Sequence, residues 1–295
     1  MSFTRALRLP AHLSAEARGA FYMLLSMAGF AIEDLSVKEA AKDIPVGQVA
    51  MTYGLVGILC FGLFARSQGQ RVLHPAVFSK VMLLRSCCEI SGRLFYALAL
   101  ALTPLSNASA ILQATPAIVA LGAIWFFCEK VTLRKWLSIL AGFLGVLLIL
   151  RPGLEGFRAS AIFAVLGTIG FAGRDLATRA APVSMSSAQL GVLGFSMLTL
   201  AGVVLLAVSG GAAVPAPTTW GFLTGALVFG LFGYCCLTLA MRTGRIASVS
   251  PFRYSRLLFA LILGVFILGE RPDTLSLVGS AIIVASGVLV LRDKS

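Results

Sequence analysis

The chain has 295 residues, 58% of them apolar and 12% charged, with a mean hydropathy of +0.94, a balance that excludes a water-soluble globule. Lys and Arg number 24 against 12 Asp and Glu, for a net charge of +12. The basic residues cluster between apolar runs, a pattern that orients a membrane protein and does not point to nucleic acid as a partner.

Arg5, Arg8 and Arg18 open the chain and no apolar core precedes Gly19, so residues 1–18 read as a short cytoplasmic arm and not as a cleavable signal peptide. Ten apolar segments follow, at 19–37, 46–65, 81–102, 106–127, 134–150, 159–176, 187–208, 220–241, 251–269 and 275–291. Each is about the length that crosses a bilayer as a helix. In hydrocarbon a backbone polar group finds no partner outside its own segment, and barrel-like alternation is absent, so an all-α integral membrane protein with ten transmembrane helices is expected.

The first crossing carries Glu33, Asp34 and Lys38; Asp34 and Lys38 are four residues apart, as are Asp175 and Arg179 in the sixth, which suggests a repeated ion pair at a helix end. Glu33 and Arg174 remain as candidate gate charges. In the third crossing Arg85, Glu89 and Arg93 repeat at i, i+4, i+8 over about 12 Å of rise, and Tyr96 continues the stripe. An ion at mid-helix costs about 2.5–3.5 kcal/mol on insertion scales, so three on one face point to a bundle interior or a wet cavity. Either a packing network or a cargo-binding face fits; the second has one net positive charge for an anionic or electron-rich cargo.

Pro116 predicts a kink in the fourth crossing, with Gln113 as a cavity-facing hydrogen bonder. Gly221 and Gly225 form a GxxxG in the eighth, suited to close helix packing. The ninth opens with Pro251, Phe252, Arg253, Tyr254 and Arg256, whose guanidiniums and rings are candidates for the inner cargo path. The six cysteines have neither metal-ligand spacing nor a disulfide framework and are expected as buried thiols. Arg66, Arg71 and Lys80, then Lys130, Arg134 and Lys135, then Arg242 and Arg245 mark inner loops, whereas 209–219 is uncharged; both termini are therefore expected in the cytoplasm.

A shift of 141 residues aligns Gly29, Phe30, Ala31, Asp34 and Leu35 with Gly170, Phe171, Ala172, Asp175 and Leu176. The same offset joins Gln48 to Gln189, Glu129 to Glu270 and Arg151 to Arg292. Five crossings per half is an odd number, so the expected domains are the arm 1–18 and two inverted five-helix repeats, 19–153 and 159–292. Inverted halves around an interfacial site are a transporter architecture.

The run Phe127-Cys128-Glu129-Lys130-Val131-Thr132, then Trp136, Gly142, Gly145 and Arg151-Pro152-Gly153, with its echo Leu268-Gly269-Glu270-Arg271-Pro272, resembles the drug/metabolite transporter superfamily, in particular its ten-helix EamA-type members. The resemblance covers nearly the whole chain. It implies a central cavity lined mainly by the first, third, fourth, sixth, eighth and ninth crossings, and a small organic metabolite moved across a bacterial inner membrane by alternating access. Arg85 together with Pro251-Phe252-Arg253-Tyr254-Ser255-Arg256 resembles the branch of riboflavin and S-adenosylmethionine importers. Nucleoside-like and amino-acid-like cargoes, and export of amino acids or drugs, share the same frame. Cys128 departs from the Gly usual before the Glu, and Phe30-Ala31 from a common Trp-Gly.

An intramembrane enzyme is the competing class. His12 and His74 are the only histidines and both lie outside the crossings, with no HExxH, nucleophile elbow or ATP-binding loop. No catalytic residue, metal or cofactor is expected; the expected partners are a small-molecule substrate and the lipid bilayer.

Overall fold

The computed structural model describes residues 13–102, 110–151, 161–268 and 271–292, with the side chains of 100, 101, 268, 291 and 292 left out. Among the described residues there is no strand. The helices are α1 (Ala15–Ala40), α2 (Val46–Ser67), α3 (Lys80–Leu102), α4 (Thr115–Phe127), α5 (Leu133–Leu150), α6 (Ala161–Arg179), α7 (Ser187–Ser209), α8 (Pro217–Arg242), α9 (Ser255–Leu268) and α10 (Thr274–Arg292).

Among the described residues, eight stretches are long and apolar enough to cross a membrane. The two that fall short do so for different reasons. α3 carries Lys80, Arg85, Glu89 and Arg93 within its 23 residues, and the apolar part of α10 is the shorter stretch Thr274–Val290.

Local chemistry fixes the helix starts. Ser14 accepts the Ala17 N–H, Thr132 accepts that of Lys135, and Ser186 with Gln189 forms a reciprocal capping box. Pro in the first turn opens α4 and α8 without losing an intrahelical bond. With Ser14 as its cap, α1 begins at Ala15, four residues ahead of the first apolar segment drawn from 19, and residues 1–12 lie outside the described residues. The fourth segment is broken at 113–114, ahead of Pro116, and 106–109 of its drawn range lie outside the described residues. Before α9 the chain makes a short helix, Ile246–Val249, and a 3-10 turn, Ser250–Tyr254.

Helix pairing repeats between the halves. α1 packs along α8 as α6 packs along α3; α9 meets α1 as α4 meets α6; α2 pairs with α7 and α5 with α10. Glycine permits the closest of these approaches, since a side chain there would strike backbone. A Cβ at Gly29 would lie 3.1 Å from the Cα of Gly233, and one at Gly170 would lie 2.7 Å from the Cα of Gly92; the two contacts are related by the same 141-residue shift. Ser26 adds a hydroxyl bond of 2.8 Å to the Gly233 carbonyl. In the eighth helix Gly225, Gly230 and Gly233 face Ser36, Glu33 and Phe30, but a Cβ at Gly221 would meet nothing within 4 Å, so of the expected GxxxG pair Gly225 packs closely and Gly221 does not.

The duplicated glutamines act alike. Gln48 bonds both the N–H and the carbonyl of Ala213, and Gln189 donates to the Arg71 carbonyl, so each pins the connector of the opposite half. All six cysteines are free, but the expectation of buried thiols holds only for Cys235 and Cys236. Cys60, Cys87 and Cys128 are exposed and Cys88 is half-buried. Helix surfaces without a protein neighbour face lipid, where a small apolar thiol is tolerated.

Candidate functional site

Two ionic groups gather where α1, α3, α6 and α9 converge. Glu89 of α3 is the hub of the larger one. Arg93 donates to its Oε1 at 3.1 Å, Arg174 of α6 reaches the same oxygen at 3.3 Å, and Arg85 lies 3.3 Å from Oε2. The i, i+4 spacing read from the sequence brings Arg85 and Arg93 onto Glu89 from either side. Arg174 arrives only through the α3–α6 contact that Gly92 and Gly170 allow.

The network continues through Asp175, which takes Arg174 at 2.9 Å and also pairs with Arg253 from the turn before α9. Arg85 is anchored further, donating from Nε to the Thr178 hydroxyl at 3.0 Å and from Nη2 to the Tyr234 hydroxyl. Tyr234 in turn donates to the Leu190 carbonyl at 3.2 Å. Glu89 is fully buried and Arg85 is 1% exposed. Four guanidiniums, of Arg85, Arg93, Arg174 and Arg253, thus face two carboxylates, Glu89 and Asp175, leaving two positive charges in excess.

A cavity of about 10 Å³ adjoins Arg85, Arg174, Asp175, Thr178 and Tyr234, room for about one water molecule. Within the network, Arg85 Nη1 and Glu89 Oε2 are buried without a hydrogen-bond partner among the described residues. The network is therefore closed around itself, yet two of its strongest polar atoms are unsatisfied, which marks a place where a ligand's polar group would replace missing contacts.

The smaller group is more open. Arg256 of α9 grips Asp34 of α1 with two bonds, 2.7 and 2.5 Å, and lies 5.3 Å above the Phe30 ring. The side chains of this pair are 33% and 54% exposed. Phe30, the departure noted in the sequence, is thus a platform for a guanidinium. Beside it, Tyr53 of α2 donates to Glu33 Oε1 at 2.8 Å. Tyr96 meets Phe171 edge-on at 6.2 Å, and Arg174 sits over Phe171 at 5.4 Å.

Several expectations need correction. Asp34 is paired with Arg256 and not with Lys38, and Asp175 with Arg174 and Arg253 and not with Arg179; Lys38 projects outward, exposed. For Asp34 the partner across the bundle supplies a planar, bidentate fork that the Lys38 ammonium lacks, whereas Asp175 takes its own neighbour Arg174 together with Arg253. Tyr254, expected to face a cavity, is fully buried against Val146 and Ile283, and its hydroxyl donates to the Ile139 carbonyl at 3.2 Å. Phe252 likewise packs with Met23, Met27 and Leu237 and borders a separate apolar cavity of about 130 Å³. Gln113 lies half-buried at the break before α4.

Sequence reading missed Tyr53, Thr178 and Tyr234. Tyr234 carried a signal, since the 141-residue shift places it opposite Arg93. Cys128 ends α4 with φ 51°, a left-handed cap where Gly carries no Cβ penalty, which accounts for the Gly usual at this position; nothing in the structure explains the cysteine. Glu129 then caps across the fold, accepting from the N–H groups of Ile246 and Ala247 at 3.2 and 3.3 Å. Glu270, its counterpart, lies outside the described residues.

The model of the EamA-like transporter family matches this chain twice, over residues 17–151 and 158–292. The chain belongs to the EamA-like transporter family. Among its relatives, the pseudopaline exporter of Pseudomonas aeruginosa is 25% identical over 278 residues, covering 94% of this chain and 96% of that one. The S-adenosylmethionine uptake transporter of Rickettsia bellii is 25% identical over 284 residues, 94% of both chains. The riboflavin transporter of Vibrio cholerae is 25% identical over 278 residues, 93% of each. A crystal structure superposes with a TM-score of 0.81 at 15% identity, covering 95% of this chain and 99% of that one, a likeness of fold. This EamA-like protein is accordingly a multi-pass membrane transporter built from a tandem repeat.

Proposed function

We propose that this EamA-like protein is a secondary or facilitative carrier of a small organic metabolite in the bacterial inner membrane, working by alternating access. In this reading the ten helices form ten crossings, arranged as two inverted five-helix repeats over 19–153 and 159–292, with both termini cytoplasmic. The observation that carries it is the buried cluster of Arg85, Glu89, Arg93, Arg174, Asp175 and Arg253, drawn from both halves and positive by two charges. Buried ions within a membrane mark a substrate or ion path, because their cost is not recovered by packing alone.

Cargo follows from the same chemistry. Excess guanidinium binds carboxylate or phosphate with two parallel hydrogen bonds, and the rings of Tyr96, Phe171 and Phe30 suit a planar heterocycle. A planar metabolite bearing an anionic group is the cargo class that fits. The relatives named for riboflavin and S-adenosylmethionine agree with a heterocyclic cargo. A small cavity and an engaged network suit a state closed over the site, and admission of cargo requires α3 and α6 to part.

Transport in proteoliposomes tests the reading, with riboflavin, S-adenosylmethionine, nucleosides and amino acids offered separately, with and without a proton gradient. One compound should cross unchanged with wild-type protein and at least tenfold more slowly with Arg174→Ala. Failure of every compound to cross, or undiminished flux in the variant, would reject it. Net flux in the outward direction would make the protein an exporter in the same frame.

A further inference from the structure

Four carboxylates lie well inside the described helices, and three of them are held by guanidinium. Glu89 meets Arg85, Arg93 and Arg174; Asp175 meets Arg174 and Arg253; Asp34 meets Arg256. Glu33 is the exception. Among the described residues its one hydrogen bond is from the Tyr53 hydroxyl to Oε1 at 2.8 Å, and it forms no salt bridge. Glu33 is also half-buried, while Glu89 is sealed.

We infer that Glu33 is a proton-exchange site, taking up and releasing the proton that couples transport to a pH gradient. A carboxylate fixed by guanidinium has no reason to accept a proton during the cycle. Among the described residues Glu33 Oε2 accepts no hydrogen bond, and the donor on Oε1 is neutral. The groups that face it are few. α2 supplies Tyr53, α8 brings Gly230 close enough that a Cβ there would lie 3.3 Å from the Glu33 carboxyl carbon, and α1 itself places Asp34 alongside. Arg93 of α3 and Arg256 of α9 act on Glu33 at longer range, each engaged by another carboxylate.

The step is a proton transfer from hydronium to Oε2, leaving a water molecule and a neutral acid; release on the opposite face reverses it. Arg256 links this event to the helices. With Glu33 ionised, Arg256 is drawn by two neighbouring carboxylates of α1; with Glu33 protonated, Asp34 alone holds it. Proton occupancy thereby sets the grip of α9 on α1, one of the contacts that alternating access must make and break.

The coupling role rests on the transporter reading; the proton site itself does not, and the two are tested separately. Infrared titration of the purified full-length protein in liposomes reads the carboxylic acid C=O band without any cargo. One titrating band should disappear in Glu33→Gln, return displaced in Glu33→Asp, and change midpoint in Tyr53→Phe. A spectrum of Glu33→Gln that titrates as wild type does would overturn the assignment. In proteoliposomes offered riboflavin or S-adenosylmethionine, wild-type accumulation should rise with an imposed proton gradient, and that of Glu33→Gln should stay at its own no-gradient level. A gradient response that survives in Glu33→Gln would also overturn it. Should wild type move neither compound, the cargo reading fails and the infrared result alone decides the proton site.

Discussion

The α1–α8 contact and the α6–α3 contact are the same joint built twice, with opposite polar content. Gly29 meets Gly233 in one and Gly170 meets Gly92 in the other, so the backbones approach alike. Around these glycines the side chains diverge: Glu33 stands where the other joint has Arg174, Gly230 where it has Glu89, and Tyr234 where it has Arg93. The first joint keeps an accessible carboxylate and a half-exposed ion pair, and the second a sealed network. Small residues preserve the geometry after duplication because any side chain there collides with backbone. The surrounding positions were free to diverge and divide the electrostatic work between the halves.

The largest effect should separate the two joints directly. Glu89→Gln leaves Arg85, Arg93 and Arg174 without their shared anion and should cost about 3–5 kcal/mol together with transport. Asp34→Asn, at a half-exposed pair screened by solvent, should cost about 1 kcal/mol or less. Denaturation midpoints in SDS measure both, and equal losses would show that the joints are not electrostatically distinct.

The glycines sharpen the comparison on the packing side. Gly170→Ala forces a Cβ to 2.7 Å from backbone and should cost about 1–3 kcal/mol, whereas Gly29→Ala meets its nearest atoms at 3.1 Å and should cost less. Unfolding measured on the two single variants gives the order. At the end of α4, Cys128→Gly relieves a left-handed residue and should raise stability by about 1 kcal/mol in the same assay.

The smallest effect lies outside the bundle. The Arg151 side chain, with Ser276, lowers the Asp273 carboxyl from 3.8 to about 2. Its contribution is therefore complete above pH 3.8 and is lost as pH falls through about 2. Asp273→Asn should lower the melting temperature slightly near neutrality and flatten it against pH, the difference from wild type vanishing as pH falls through about 2. At the α1–α2 connector, the Ala216 N–H and the Thr219 hydroxyl likewise hold the Asp43 carboxyl below its ordinary value, so Asp43→Asn gives a second reading of the same sign.

Much of the site was legible along the chain wherever its members share a helix. Arg85, Glu89 and Arg93 meet because i, i+4 neighbours must, and Asp175 was singled out by its repeat in the other half. The same rule misdirected the partners of Asp34 and Asp175: Arg256 on another helix offers Asp34 a fork that Lys38 lacks, and Asp175 is held by the adjacent Arg174 and by Arg253 before α9. Tyr254 read as a cavity aromatic because its neighbours Arg253 and Arg256 are functional candidates. Its 3-10 turn rotates it into the core against Val146 and Ile283.

Sequence by itself determined the helical class, the approximate spans and the duplication, because hydrocarbon forces backbone hydrogen bonds to be local and a repeat survives as a constant offset. Only the tertiary structure decided which charges meet, that Arg174 completes the Glu89 network, and that Glu33 has a tyrosine and no guanidinium. Such pairings depend on the distance and facing of whole helices, which glycine contacts between the halves set at sub-ångström scale.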